Sequence, residues 1–370
     1  MKSSVLLACT LGLFGATAAL AQTHKLTEGP GLKANEDARE AAVLATCKTP
    51  PPPPPNFGGG NRNRRRPAPP KPPTHVSAIP DIIAAGRHWK TVWREEGNNA
   101  DGIIGMDDGS VLVAQQDNSD VVKIAPNGHA SVVYQDTNTG GALSMNKRGQ
   151  LFDGERGLHE AIWELAPQHK VLAINYQGEP LDCLGGGMND LSAAANGGVY
   201  FTMGKLYYAS PDGVVSPEGN IRTFTNGIIL SPDEKTLYVT DGNTLQSFDV
   251  QADGMLANQK TLATLKGFGD GSTVDAQGRI YVSDSATGVD VFTPDGTLVG
   301  SIPPPKGMDI ISLAFGGRDK KTLFAAALYG DRRGTGHRGL PSDAGKGNLA
   351  QAGALISIPM IAQGYMGRAK

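Results

Sequence analysis

The chain has 370 residues, with 34 lysines and arginines against 36 aspartates and glutamates and a formal charge of −2. That length would hold two average domains, but Gly 49 and Pro 25 point instead to a turn-rich β protein. The charge is uneven: residues 22–86 carry +4, while residues 87–370 carry 24 basic against 31 acidic groups, a balance of −7 that argues against a nucleic-acid footprint there.

Residues 1–21 read as a secretory signal, with Lys2 at the start, the apolar run VLLACTLGLFGATAAL, and Ala19-Leu20-Ala21 as a small-x-small cleavage site. No later segment is long and apolar enough to span a bilayer. The expected product is exported, periplasmic or extracellular, with no membrane span. Residues 22–49 form a short polar segment, in which NEDAREAAVLA predicts a helix capped by Asn35. Loss of the signal leaves Cys47 and Cys183. An oxidising compartment permits a bridge, but nothing in the sequence brings the two together, so paired and separate thiols both stay open.

Residues 50–74, PPPPPPNFGGGNRNRRRPAPPKPPT, cannot bury a core and predict a disordered linker. Its NRNRRR run either solubilises the arm or contacts anionic polymers of the cell envelope.

From residue 87 to residue 370 one strand-turn-strand signature recurs. Its copies start at Asp101 (DGIIGMDDGSVLVA), Gly141 (GALSMNKRGQLFDG), Asn189 (NDLSAAANGGVYFT), Asn226 (NGIILSPDEKTLYVT), Asp270 (DGSTVDAQGRIYVS) and about Ser312 (SLAFGGRDKKTLFAA). The separations are 40, 48, 37, 44 and 42 residues, which predicts an all-β, six-bladed β-propeller with one blade per repeat. A ring has to close, because an open blade edge would leave unpaired backbone groups. HWKTVWREE, ahead of the first repeat, is expected to supply an outer strand to the last blade, beside GALISIPMI. Residues 331–348 would be a long excursion near that closure.

Registering the copies on their glycine turns places Asp101, Gly141, Asn189 and Asp270 each eight residues before a turn glycine. Asn226 shares the phase if its turn holds an extra residue, and Ser312 is assigned to it in the last copy. Asp101, Asn189, Asn226 and Asp270 would then meet around the central channel. Two carboxylates and two amides suit a hard divalent cation, most simply Ca2+, whereas zinc would call for His or Cys. The bland alternative is that Asp-Gly and Asn-Gly are turn dipeptides, placed where the backbone needs positive φ. Asp190 is a candidate general base beside such a site, with Asp270 contributing as a ligand; equally, Asp190 holds the turn through backbone hydrogen bonds. Arg156 and His159, in GERGLHEAIW, either contact substrate at the channel mouth or sit on the solvated surface, and Trp163 is read as blade packing.

The strings GEPLDCLGGGMNDLSAAANGGVYFT, NGIILSPDEKTLYVTDG, DGSTVDAQGRIYVSDSATGVDVFTPDGTLVGSI and SLAFGGRDKKTLF resemble the senescence-marker-protein/gluconolactonase (regucalcin-like) family. The resemblance implies a six-bladed propeller with a central divalent metal, often calcium, that hydrolyses sugar lactones or related esters. It implies Asp101, Asn226 and Asp270 as metal ligands, with Asn189 beside metal and substrate. The chain departs from the family pattern where the usual Glu of an EGP string is Asp101, where FTDP is FTMG at 201–204, and where an arginine of regucalcin is Gly187. Retention of the four oxygen positions favours a lactonase, and the departures favour a non-catalytic calcium-stabilised propeller that binds a sugar acid or a protein. A phosphotriester hydrolase on the same metal centre is a third reading.

Overall fold

A computed structural model describes residues 41–49, 51, 75–96, 100–116, 118–330 and 351–367. The signal, the linker apart from Pro51, the excursion at 331–348 and most of the predicted N-terminal helix lie outside those residues. The end of that helix is present as a helical turn at 41–44.

Among the described residues six four-stranded antiparallel sheets follow one another. Blade one runs from Ala100–Gly105 to Ala130–Gln135, blade two from Ala142–Met145 to Lys170–Ala173, and blade three from Leu191–Ala193 to Val215–Glu218. Blade four runs from Thr225–Leu230 to Leu256–Thr264, and blade five from Gly269–Val274 to Leu298–Ile302. Blade six is assembled from both ends of the chain: Met308–Gly316, Thr322–Gly330 and Gln351–Pro359 are completed by Lys90–Glu96 as the outer strand. Lys90 pairs with Ser357 and Glu96 with Ala352, so the expected closure is present and no blade is left to float. The ring is shut by backbone hydrogen bonds between the two ends of the propeller, which removes an edge that would otherwise template association.

The apolar core is divided in the same way. Among the described residues six clusters of buried side chains form, one at each junction between neighbouring blades. Ile103, Val113 and Val122 of blade one, for example, pack on Ala314, Phe324 and Leu355 of blade six. Alternation along each strand sends one set of side chains to each neighbouring blade, so both faces must be apolar. That explains why every residue of Val111–Gln115 is buried.

The packed unit begins earlier than the repeats mark. Val76, Ile79, Ile82 and Ile83 join the cluster between blades five and six, and Ile82 O accepts from Ile361 N at 2.8 Å. Trp89 Nε1 donates to Pro303 O at 2.8 Å. The segment at 75–89 therefore covers the seam next to the closure, ahead of the boundary at 87 that the repeats suggest. Among the described residues no helix is long and apolar enough to cross a membrane.

Candidate active site in the central channel

Each site position is made by the same backbone device. In blade one Ala100 pairs with Gln115 and Ile103 with Val113, so Asp101 and Gly102 together oppose the single residue Ala114. In blade four Thr225 pairs with Asp241 and Ile228 with Val239, which leaves Asn226 and Gly227 opposite Thr240. Gly269 with Asp284 and Ser272 with Val282 do the same for Asp270 and Gly271 in blade five. Blade three repeats it through hydrogen bonds: Asn189 N donates to Thr202 O at 2.8 Å, and Thr202 N donates to Asp190 O at 2.9 Å. These are β-bulges, which bend the strand and re-aim one side chain. In blades one, four and five the innermost strand is buried except at one half-buried residue, Asp101, Asn226 or Asp270. Asn189 is likewise half-buried between Met188 and Asp190. The bulge turns these four side chains out of the inter-blade core and toward the axis.

The glycine after each site residue has a different purpose from the one expected. Gly102, Gly227 and Gly271 do not have positive φ, so the Asp-Gly and Asn-Gly pairs are not turn dipeptides. A β-carbon at Gly102 would lie 2.6 Å from Leu143 N, and one at Gly271 would lie 2.6 Å from Ile311 O. Gly102 N also donates to Gly141 O at 2.9 Å, across blades. The glycines let neighbouring innermost strands touch backbone to backbone, which is what brings the bulged residues into one ring.

The same contacts correct the sixth position. Gly227 abuts Asp270 O and the Gly271 α-carbon, and Gly271 abuts Ile311 O and the Ser312 α-carbon. Ile311 is therefore the counterpart of Asp270, and it is also the unopposed residue between the Ile310–Ala327 and Ser312–Ala326 pairs. The ring is Asp101, Gly141, Asn189, Asn226, Asp270 and Ile311, not Ser312. The longer turn at 317–321 displaced the glycine-based register by one residue.

Convergence across the channel is visible in the electrostatics. Burial holds the Asp270 carboxyl well above the ordinary carboxylate range, reinforced by Asp101 and Asp190 and opposed by the Gly271 N–H, which donates to Oδ1 at 3.1 Å, and by Arg156. Asp101 and Asp190 belong to blades one and three, neither adjacent to blade five, so they reach Asp270 only through the channel. Asp270 keeps partial solvent contact although its carboxyl is strongly desolvated. Water can touch a group at the base of a narrow channel without supplying bulk hydration.

Arg156 occupies the ring and not the solvated surface. Its NH1 group forms an ion pair with Asp101 Oδ2 at 2.6 Å and donates to Gln116 Oε1 at 3.0 Å. Its NH2 group donates to Gly141 O at 3.0 Å and to Asn189 O. A β-carbon at Gly141 would lie 2.6 Å from Arg156 Nε, so the guanidinium fills the space that a side chain at this ring position would take. His159 does not join this group: its side chain is exposed, and its backbone N–H donates to Asp182 Oδ1 at 3.0 Å. Trp163 packs in the cluster between blades one and two, as expected, and stacks on His169 with ring centroids 5.0 Å apart.

Asp190 is buried, and its carboxylate accepts from two backbone groups, Leu191 N at 2.8 Å and Ile228 N at 3.2 Å. Thr202 completes this clasp, donating from Oγ1 to Asn226 O at 2.6 Å. Asp190 thus ties blade three to blade four and positions Asn189 and Asn226. Cys47 and Cys183 form a disulfide with their α-carbons 5.6 Å apart, tying the segment at 41–49 to the connection that leads into Asn189. Gln116 went unnoticed in the sequence because it lies just past a strand end with no repeat phase to mark it.

The donor chemistry fits a hard divalent ion. The amides of Asn189 and Asn226 make no hydrogen bond among the described residues, and Asp270 brings a carboxylate that accepts from one backbone N–H. Asp101 is the differing member, since it is shared with Arg156.

Residues 157–328 match the family model described as SMP-30/Gluconolactonase/LRE-like region. That match runs from blade two to blade six of the propeller. The chain is 24% identical over 297 residues to a gluconolactonase of Zymomonas mobilis, covering 69% of this chain and 80% of that protein. It is 27% identical over 168 residues to pentonolactonase XacC of Haloferax volcanii, covering 44% of this chain and 56% of that protein. Among solved structures, a gluconolactonase from Xanthomonas campestris superposes with a TM-score of 0.60 at 22% identity, over 80% of this chain and 99% of that one. A calcium-binding protein, regucalcin, from Agrobacterium tumefaciens does so with 0.55 at 19% identity, over 76% and 97%. At those identities the structural likeness speaks for the propeller alone. The SMP-30/gluconolactonase match includes Asn189, Asn226 and Asp270 but begins after Arg156 and leaves out Asp101.

Proposed function

We propose that this chain is an exported, metal-dependent lactonase that opens a sugar lactone or similar ester. One observation carries the proposal: Asp101, Asn189, Asn226 and Asp270 stand on equivalent bulges of four blades and face one channel. The gluconolactonase and pentonolactonase relatives support the substrate class. Asn189, Asn226 and Asp270 would hold the ion, with Asp101 as a fourth contact, and calcium is the ion that this oxygen set favours. Such an ion, when bound, polarises the ester carbonyl and acidifies a water.

The chain's own residues account for the rest. The Asp190 carboxylate and the Thr202 hydroxyl lock the backbone of blades three and four, so both amides are held before substrate arrives. Arg156 pairs with Asp101 and pins the Asn189 carbonyl. In the protonated state favoured by its burial, Asp270 competes with cation binding, so affinity is expected to rise with pH. Export rests on residues 1–21 and is supported by the Cys47–Cys183 bridge, which belongs to oxidising compartments.

The second reading, a non-catalytic calcium-stabilised propeller, is favoured by a single observation: Asp101 is engaged by Arg156. A panel of aldonolactones, offered to the purified mature protein with calcium, with other divalent ions and with chelator, separates the two. Turnover that is abolished by chelator and by Asn226→Ala/Asp270→Ala supports the lactonase. Calcium binding without turnover of any lactone in any metal rejects it in favour of the binder.

A further inference from the structure

A second polar chamber lies between blades one and two, outside the ring. Asp153 and Glu155 are two residues apart in the strand Leu151–Glu155, so their side chains share one face. The connection at 136–140 folds over that face: Gly140 abuts the Asp153 carboxyl, and Asn138 Nδ2 donates to Glu155 Oε2 at 3.3 Å. Asp153 is completely buried; among the described residues only the adjacent Gly154 N–H acts on its carboxyl as a donor, and neither oxygen has a hydrogen-bond partner of normal geometry. Thr137 Oγ1 and Thr139 Oγ1, in the covering connection, are buried and unpartnered as well. A buried polar atom left without a partner is destabilising, and an ionised carboxylate more so. Two such oxygens on Asp153 and two on the connection that covers it are left without donors of normal geometry.

The connection itself is held in a costly shape. Asp136, Asn138 and Thr139 all have left-handed φ, 58°, 45° and 55°, and for β-branched Thr139 this is a conformation that persists only when the surroundings impose it. Charge points the same way. Among the described residues, five carboxyls, Asp101, Asp153, Glu155, Asp190 and Asp270, stand around the ring and this chamber against one guanidinium, Arg156.

We propose that Asp153, Glu155, Thr137 and Thr139 form a second binding site for a hard divalent cation, which clamps the blade-one to blade-two connection onto the strand that carries Arg156. Two carboxylates and two hydroxyls supply the oxygen donors such an ion prefers. Because Arg156 directly follows Glu155, occupancy holds the guanidinium in place beside Asp101 and Gly141. The site stands on residues separate from the ring, and it does not depend on the chain being a lactonase.

The test is calcium stoichiometry by calorimetric titration and metal analysis of the purified mature chain, stripped with chelator and titrated with calcium chloride alone. Two ions are expected for the native chain, one for Asp270→Asn, one for Asp153→Asn, and none for the double variant. Thr139→Val, which changes no charge, is expected to weaken the second ion about tenfold and to leave the first untouched. If Asp153→Asn does not fold, Thr139→Val and Thr137→Val decide the matter by the same measurement. The proposal is overturned if Asp270→Asn binds no calcium at millimolar concentration, or if the Asp153 and threonine variants keep the native stoichiometry and affinities. Retention of both ions by Asp270→Asn would instead count against the ring.

Discussion

Blades four and five and blades one and two build their channel positions with the same innermost-strand geometry, and they use it for opposite electrostatic ends. In blades four and five the bulges present Asn226 and Asp270, an amide and a carboxylate that accept no charged partner from a neighbouring blade. In blades one and two the corresponding positions are Asp101 and Gly141, and a guanidinium fills the gap over the glycine and pairs with the aspartate. One half of the ring is thus ready for an external cation, and the other half carries its own. A shared backbone device fixes where side chains point, while the sign of the site is set by what fills the remaining space.

This comparison breaks most sharply at Asp270. Asp270→Asn is expected to lower lactone turnover by about 10²–10³-fold and to abolish calcium binding in the ring, with little loss of fold, by steady-state kinetics and calorimetry. Gly227→Ala should come next, because its β-carbon would press on the Asp270 backbone, with Asp270 C at 2.9 Å. Backbone must move there, and a loss of about 3 kcal/mol in urea unfolding is expected, together with lost metal affinity.

Glu155 tests the other half. Burial raises its carboxyl to about 7, against opposing hydrogen bonds from Asn138 and Trp163. A raised carboxyl stabilises the folded state while it keeps its proton, so the chelated protein should lose stability as pH rises from about 4.5 through 7, by roughly 3 kcal/mol at most. Glu155→Gln should flatten that dependence in unfolding measured across this window. The smallest effect is expected for Arg156→Met, which frees Asp101 for the ring ion. Calcium affinity should tighten by up to about tenfold, measured by calorimetry, and lactone turnover should not rise in proportion. Unchanged affinity would mean that Asp101 takes no part in the ring site.

The blades were legible because their signals are local. Turn glycines at 109, 149, 197 and 278 and the alternation around them repeat at nearly constant distance, and closure followed from the cost of an open edge. Asp101, Asn189, Asn226 and Asp270 were legible for the same reason, since a repeat in a ring converts equal phase into equal height on the axis. The phase failed at Ile311, where a longer turn carries no fixed count. The resemblance of 178–327 to a known family was legible too, because it rests on strings of consecutive residues.

By itself the sequence determined the number of blades, their order, the strand that closes them and four residues of the ring, all of which follow from short-range pattern and from symmetry. Only the tertiary structure decided that Arg156 fills the space over Gly141, that Asp190 accepts from the Leu191 and Ile228 N–H groups, that Cys47 meets Cys183, and that Asp153 is sealed without a partner of normal geometry. Each of these depends on how closely one blade approaches the next, a distance set by glycine contacts and packed side chains that no stretch of chain encodes alone.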